Sequence, residues 1–491
     1  MHRSSALLAI IQGGMGVGVS QWPLARAVGR TGQLGVVSGV ALDGLLARRL
    51  QRGDPGGHLR EALARFPAPD VARRILDRYY VPGGIGADRP YRPVPRLRLG
   101  ANRAAVELIV AGNFVEVFLA KQGHQGPIGV NYLEKIQMAA PAALYGAMLA
   151  GVDYVLVGAG IPSEYPRLLD ALSRHSAVEL PIAVSGSAPA TLAPATPATA
   201  TTSTVAFDPA AILGPSATAE TDEPLRRPQL LAIISSAILA VRLARDPLTR
   251  PDGFVLETAA AGGHSAPPRG KPPLSPTGEP VYGPRDEIDV AKVAALGLPF
   301  WLAGGFATAE GLAAARAAGA AGIQVGSAFA LCEESGIDPD LKQQLLARAQ
   351  AGTLTIRNDP AASPTGFPFK TARLPDTLTD ESVYAARPRL CDLGYLRTPY
   401  LGDNGRVGYR CPAEPVDDYL AKGGAAEDTV GRKCLCNALM ATVGLGQHRR
   451  DGYQEPALAT LGQSLDFLPG LLSADAAGYR AEDVVAHLLR P

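Results

Sequence analysis

The stretch LPFWLAGGFATAEGLAAARAAGAAGIQVGSAF, residues 298–329, holds two short apolar runs, each closed by glycine, with a helical pattern between them. Apolar runs that do not alternate with polar residues suit strands covered on both faces, as in a parallel sheet. Similar apolar runs, each followed by glycines or polar residues and then a helical pattern, recur upstream at LLAIIQGG (7–14), QLGVVSG (33–39), GPIGVNY (126–132), VDYVLVGAG (152–160), LLAIISS (230–236) and DGFVLETAAAGG (252–263). Eight such strands separated by helices fit a (β/α)8 TIM barrel better than an open sheet.

In a barrel every glycine-rich step falls at the C-terminal end of a strand, where barrel enzymes place their sites. The last two steps are LAGGF (302–306) and QVGSAF (324–329). Glycines alone would serve as tight turns, but their pairing after the seventh and eighth strands suits a phosphate. Gly304, Gly305, Gly326 and Ser327 are the expected phosphate residues, with Phe306 beside them. After the first run, Ser20 is placed to cap a helix, Pro23 sits in its first turn and Gly32 can end it.

The 491 residues carry 47 Lys plus Arg against 46 Asp plus Glu, so no global field points to nucleic acid or an anionic membrane. The N-terminal apolar stretch is too short for a signal core, and LLAIISSAILAVRLA (230–244) falls short of a spanning helix, which predicts a cytoplasmic protein. The expected organisation is a barrel over 1–350 and an extension over 351–491 packed upon it. Between the second and third strands an excursion over about 44–124 reads as a helical insertion at the barrel mouth, joined through the Pro/Arg-rich RPYRPVPRLRLG. A second excursion, about 181–208, reads as a hairpin with a mobile Ala/Pro/Thr tip.

Three strand ends offer side-chain chemistry. His264 follows a diglycine in ETAAAGGHSAPPRG, so its ring can project over a ligand lying against backbone; it suits proton transfer from carbon or orientation of an anion. Asn131 ends the third strand, where a carboxamide suits a flavin edge or simply a turn. Ser235 and Ser236, ending the fifth, are weaker candidates. His124 ends a helix and reads as a cap. No P-loop is present, and no G-x-G-x-x-G opens a βαβ unit with its acidic partner. Of the five cysteines, Cys391, Cys411, Cys434 and Cys436 follow C-x19-C-x22-C-x-C; the C-x2-C knuckle of usual zinc sites is absent and no metal is assigned.

Taken in order, IIQGGMGVGVS (10–20), VDYVLVGAGIP, AAAGGHSAPPRG, LPFWLAGGF and AAGIQVGSAFALCEESG resemble the nitronate monooxygenase family, FMN-dependent barrel enzymes. Their superfamily includes FMN-type enoyl-acyl carrier protein reductases. The resemblance runs from about Ala6 to Gly336. It implies that Gln12, Gly13, Gly14 and Met15 lie against FMN and Asn131 bonds the ring edge, with Ser236 a further cofactor candidate. Gly262 and Gly263 pass beside the cofactor, the four phosphate residues keep their role, and His264 is the catalytic residue. Glu257 is followed here by Thr258, where the family often has glycine. The expected reaction is oxidation of an alkyl nitronate by O2 to a carbonyl compound and nitrite. The alternative is NAD(P)H-dependent reduction of an enoyl thioester, the long form of the chain resembling trans-acting reductases of polyketide or fatty acid pathways. Candidate partners are the small-molecule substrate with O2, an acyl carrier protein meeting the basic connector, and a second copy of the chain.

Overall fold

The eight apolar runs become one parallel sheet in the computed structural model, which describes residues 8–86, 88–100, 102–186, 201–214, 223–270, 273–472 and 478–490. The strands are β1 (Ile10–Gln12), β2 (Gly35–Ser38), β3 (Ile128–Leu133) and β4 (Tyr154–Gly158). An antiparallel hairpin follows, β5 (Val178–Val184) with β6 (Thr201–Phe207). Then come β7 (Gln229–Ile234), β8 (Gly253–Glu257), β9 (Phe300–Ala303) and β10 (Gly322–Val325). Around the sheet the order is β1, β10, β9, β8, β7, β4, β3, β2. The ring closes where Gln12 N–H donates to Leu34 O (2.9 Å) and Leu34 N–H to Ile10 O (3.2 Å).

Both faces of these strands are apolar because both are covered. Inward-pointing Ile11, Val36, Leu156, Leu231, Val255 and Trp301 form one buried cluster inside the barrel. Trp301, the largest of them, donates its indole N–H to Leu8 O at 2.7 Å, next to the start of β1. Residues of the opposite parity, such as Ile10, Phe254, Phe300 and Ile323, pack outward with the surrounding helices. The helix contact is close at Gly35, where a Cβ would lie 1.9 Å from Ala25 O, and the neighbouring chain is as near at Gly322, where it would lie 2.0 Å from Ala9 O just before β1.

The helix α1 (Trp22–Arg30) has Pro23 in its first turn, and Gly32 beyond its end has φ +82°. Ser20 is not its cap. The Ser20 hydroxyl turns back to donate to Gly13 O (3.1 Å) and to accept from Met15 N–H (3.0 Å), so the β1 loop takes the bond expected for the helix. Between β2 and β3 run α2 (Leu42–Gln51), α3 (His58–Ala64), α4 (Pro69–Tyr79) and α5 (Arg103–Lys121). The last of these packs on α1 and on the helix Ala140–Leu149, the place of an ordinary barrel helix, while α2, α3 and α4 are additional. Buried Glu116 of α5 ties them together by accepting from Trp22 N–H at 2.9 Å and pairing with Arg49. His124 closes α5, its ring contacting Ala120 O at 2.7 Å and accepting from Gly126 N–H at 3.1 Å.

The hairpin β5–β6 buries Val178, Leu180, Ile182 and Val184 on one face. The tract expected to form its mobile tip, 187–200, lies outside the described residues. Beyond residue 351 come β11 (Ile356–Asp359) paired with β12 (Phe369–Ala372), and β13 (Thr398–Leu401) paired with β14 (Val407–Arg410). This extension shares its apolar side chains with the barrel: Leu435, Ala438 and Met440 join the cluster around α2 and α5, and Leu461, Phe467 and Val484 join the one around β9 and β10. Among the described residues no helix is long and apolar enough to cross a membrane.

Gly322→Ala is expected to push β10 from its neighbour and cost about 1–3 kcal/mol, the usual range for overpacking. Urea unfolding of the purified chain, followed by circular dichroism, measures it; an unchanged midpoint would contradict the packing described.

Candidate active site

The C-terminal ends of the barrel strands open into a cavity of 240 Å3. The loop after β1 contributes Gly13, Gly14 and Met15, β3 contributes Asn131, and the loop after β8 contributes Gly262, Gly263 and His264. Gly304, Gly305, Phe306, Gly326 and Ser327 arrive from the ends of β9 and β10. Twelve residues singled out in the sequence therefore meet around one space.

Two others stand apart from it. Gln12 is fully buried behind the wall, where its carboxamide accepts from Val36 N–H at 2.9 Å and donates to Ser20 Oγ at 2.9 Å. It shapes the β1 loop from behind. Ser236 accepts from Leu239 N–H (3.4 Å) as N-cap of the helix Ala237–Arg245, which turns its hydroxyl to the helix and away from the cavity.

The glycines serve the protein as much as any ligand. A Cβ at Gly14 would sit 2.3 Å from Asn131 Cβ, so glycine there lets the asparagine cross the loop. A Cβ at Gly262 would meet Gly462 N and Leu461 C at 2.9 Å each, so glycine there admits the C-terminal extension. Gly304 has φ +88°, which a side chain would strain.

Sequence reasoning missed that extension's share of the site. Thr460, Leu461, Gly462, Ser464 and Phe467 all line the cavity. Gly462 N–H donates to Ser327 Oγ at 2.7 Å, Gly263 N–H donates to Thr460 Oγ1 at 3.0 Å, and Gln463 N–H donates to Ala260 O at 3.1 Å. Ser327 thus accepts one bond from the protein and retains its O–H to donate to a ligand. Gln324, also unremarked in the sequence, lines the cavity with a buried Oε1 that has no partner. A buried acceptor left so is costly, and a bound donor would satisfy it. Backbone walls, a free hydroxyl donor and an orphaned acceptor fit a flat, phosphate-bearing heterocycle such as FMN.

His264 stands on the wall shared with a second cavity of 250 Å3. Its ring packs edge-on to Phe369 at 4.8 Å, and its backbone is tied to β12 by a single bridge. Nε2 lies 2.7 Å from Ser363 Oγ, which is 2.8 Å from Thr365 Oγ1. Burial, helped by the Lys135 charge, pushes the imidazole down to about 4, so it is neutral at physiological pH. Glu257, at the end of β8, lines both cavities, and burial pushes its carboxyl up to about 7 against the pull of Lys370. Lys370 on β12 is itself pushed down by burial to about 8, with Glu257 and Glu279 opposing the fall. It donates to Ser265 Oγ at 2.8 Å and to Ala259 O, holding the β8 loop from beneath.

Cys391, Cys411, Cys434 and Cys436 are free thiols around a small separate cavity. Burial raises all four above the usual thiol range. Among the described residues no three His, Cys, Asp or Glu side chains are arranged to hold a metal ion.

Fold and site together define a class: a (β/α)8 barrel whose strand ends enclose a glycine-walled ligand cavity with a neutral histidine at its edge. Residues 218–360, which include the strand ends bearing His264, Gly304 and Gly326, match the family described as nitronate monooxygenase. Over 102 residues the chain is 40% identical to a probable nitronate monooxygenase of Bacillus subtilis (strain 168); the match spans 21% of this chain and 28% of that relative's length. Similar solved structures include FabK from Thermotoga maritima, at 16% identity and TM-score 0.48 over 99% of this chain and 92% of that one. Nitroalkane oxidase from Streptomyces ansochromogenes is similar at 16% identity and TM-score 0.42, over 98% and 95%.

Glu257 has a raised folded-state value, so its contribution to stability is present below about 4.5 and is lost as pH rises through about 7. Glu257→Gln removes that loss. Relative to the native chain, the variant is expected to gain on the order of 2 kcal/mol between pH 5 and pH 8. Denaturant unfolding at the two pH values measures it, and a pH-independent difference would count against the burial of this carboxyl.

Proposed function

We propose that the chain is an FMN-dependent oxidoreductase that reduces the carbon–carbon double bond of an enoyl thioester at the expense of NAD(P)H. The observation that carries this reading is the space beyond His264. The cofactor-sized cavity shares the wall formed by His264 and Glu257 with the 250 Å3 cavity, and that one shares Pro267 and Phe367 with a further cavity of 560 Å3. A small alkyl nitronate would leave most of this room unfilled, whereas an extended substrate with its double bond beside His264 would use it.

Bound FMN would supply the two-electron redox chemistry, hydride transfer from a nicotinamide to a carbon–carbon double bond. Gly304, Gly305, Phe306, Gly326 and Ser327 would hold its phosphate end, while Gly13, Gly14, Met15, Asn131, Gly262 and Gly263 would flank its ring. Hydride addition at the β-carbon leaves the α-carbon to take a proton. His264 is the group placed to deliver it, since a neutral imidazole carries one transferable N–H and needs no counter-ion in a buried wall. The hydroxyls of Ser363 and Thr365 would return that proton, because Thr365 lines the outer cavity and Ser363 bridges it to Nε2. Oxidation of an alkyl nitronate by O2 is the second reading. It is supported by the family match over 218–360, and in it His264 would orient the nitro group.

Anaerobic mixing of the yellow protein with NADPH, and separately with propyl-2-nitronate, decides between them. Rapid bleaching by NADPH and none by nitronate is expected; bleaching by nitronate alone would overturn the reductase reading. In steady-state turnover of an enoyl thioester with NADPH, His264→Ala is expected to lower kcat by about 100-fold or more with flavin retained. Ser363→Ala should lower kcat by about tenfold with an altered pH profile. Full turnover in either variant would remove that residue from the proton path.

A further inference from the structure

The 240 Å3 cavity at the barrel mouth is walled in part by a segment that a minimal barrel lacks. Gly462, Ser464 and Phe467 of the extension line it with Gly305, Gly326 and Ser327 of the barrel. Among the described residues no lysine or arginine lines it, so a phosphate there is met by N–H and O–H dipoles, as in other backbone anion nests. The N–H groups of Gly305, Phe306, Gly326 and Ser464 have no hydrogen-bond partner among the described residues. Three of these four donors belong to the barrel, and the fourth belongs to the extension. The Ser464 hydroxyl is spent on Asp466 at 2.8 Å, and that carboxylate is exposed and does not line the cavity.

Ser327 is the joint between the two parts. Its Oγ accepts from Gly462 N–H at 2.7 Å, and a Cβ at Gly462 would stand 3.1 Å from that oxygen and from Ala260 O. A hydroxyl that donates to an anion becomes a better acceptor, so a phosphate on the Ser327 O–H strengthens the bond that holds the extension. From Gly462 the connection runs on to the histidine loop. Ala372 N–H of β12 donates to Ala459 O at 2.9 Å, and Lys370 N–H, two residues earlier on the same strand, donates to Gly263 O at 2.9 Å, beside His264. Ser327, Gly462, Ala459, Ala372, Lys370 and Gly263 are therefore linked by hydrogen bonds or by no more than three residues of chain.

We propose that the segment Thr460–Phe467 is part of the cofactor's phosphate site, completing from the extension the nest begun by the β9 and β10 loops, and that cofactor loading docks this segment and, through β12, the histidine loop. The proposal rests on FMN as the cofactor and is independent of which substrate the loaded enzyme takes. Linkage makes the effect reciprocal: whatever affinity the docked segment gives the phosphate, the phosphate returns to docking. Riboflavin has the same ring and no phosphate, so it gains nothing from the segment and leaves it as it is in the flavin-free chain.

Two measurements on the full-length chain, stripped of flavin and reloaded, test this without turnover. Hydrogen exchange is expected to slow by at least about tenfold at the Gly462, Gln463 and Lys370 amides with FMN, and to stay at the flavin-free rate with riboflavin. Flavin fluorescence titration of Gly462→Ala, which forces the segment from Ser327, is expected to show FMN weakened about tenfold and riboflavin changed by less than about twofold. Arg406→Gln, exposed between β13 and β14 of the same extension, should alter neither affinity. The exchange measurement uses the native chain and decides the matter if Gly462→Ala does not fold. Equal exchange with FMN and riboflavin overturns the proposal, as does a Gly462→Ala variant that keeps full FMN affinity or loses both flavins alike. If FMN binds and the segment does not respond, this inference alone falls; if neither flavin binds, the cofactor reading falls and takes it along.

Discussion

The barrel closes at a narrow seam between β1 and β2, and the carboxamide of Gln12 completes it. Backbone hydrogen bonds join Ile10 and Gln12 to Leu34, and beyond them the Gln12 side chain takes over, accepting from Val36 N–H as a backbone carbonyl would. The same amide donates to Gly13 O and Ser20 Oγ, so the bond that closes the sheet also folds the loop that becomes a cavity wall. A fully buried polar group is tolerated because every arm of it is used. Fold and site meet in this one side chain.

From that wall outward, the site is a joint product of barrel and extension. The loops after β8 and β10 would stand open at their tips without the Thr460–Gln463 segment, which bonds to Gly263, Ala260 and Ser327. Likewise β12 pairs beside His264, through Lys370 N–H to Gly263 O and Ser265 N–H to Pro368 O at 2.9 Å each. Holding the histidine loop from a second element fixes its backbone where a lone βα loop would be mobile. The extension also brings Ser363 and Thr365, whose hydroxyls lead away from the imidazole, and Phe369, whose ring packs against it.

Burial sets the electrostatic character of this region. Glu257, Lys370 and His264 are all pushed toward their neutral forms, and each shift is caused first by loss of water. Lys370, at about 8, still carries its proton at neutral pH, so burial lessens the charge beside the histidine loop without removing it.

Much of this was legible in the sequence because it is written in local pattern. Eight apolar runs ending in glycine or polar residues specify eight strands of a doubly covered sheet, and twelve of the residues chosen at their ends line one cavity. Residues whose role depends on what comes back from far along the chain were not legible. Ser20 has the right spacing for a helix cap, but a bond to Gly13 O competes and wins. Gly262 lines the cavity as the sequence suggests, and it also admits Leu461 and Gly462, which its Cβ would strike, a second demand that its own segment does not reveal. Lys370, Ser363 and Thr460 sit in segments with no motif, separated from His264 by about one hundred residues or more, and only their docking gives them a function. The sequence by itself determined the barrel and its glycine-walled mouth, since both follow from the period and position of apolar residues. Tertiary structure alone decided how the mouth is covered, which groups touch the histidine and where charge is left unpaired, because those contacts join residues whose spacing along the chain carries no signal.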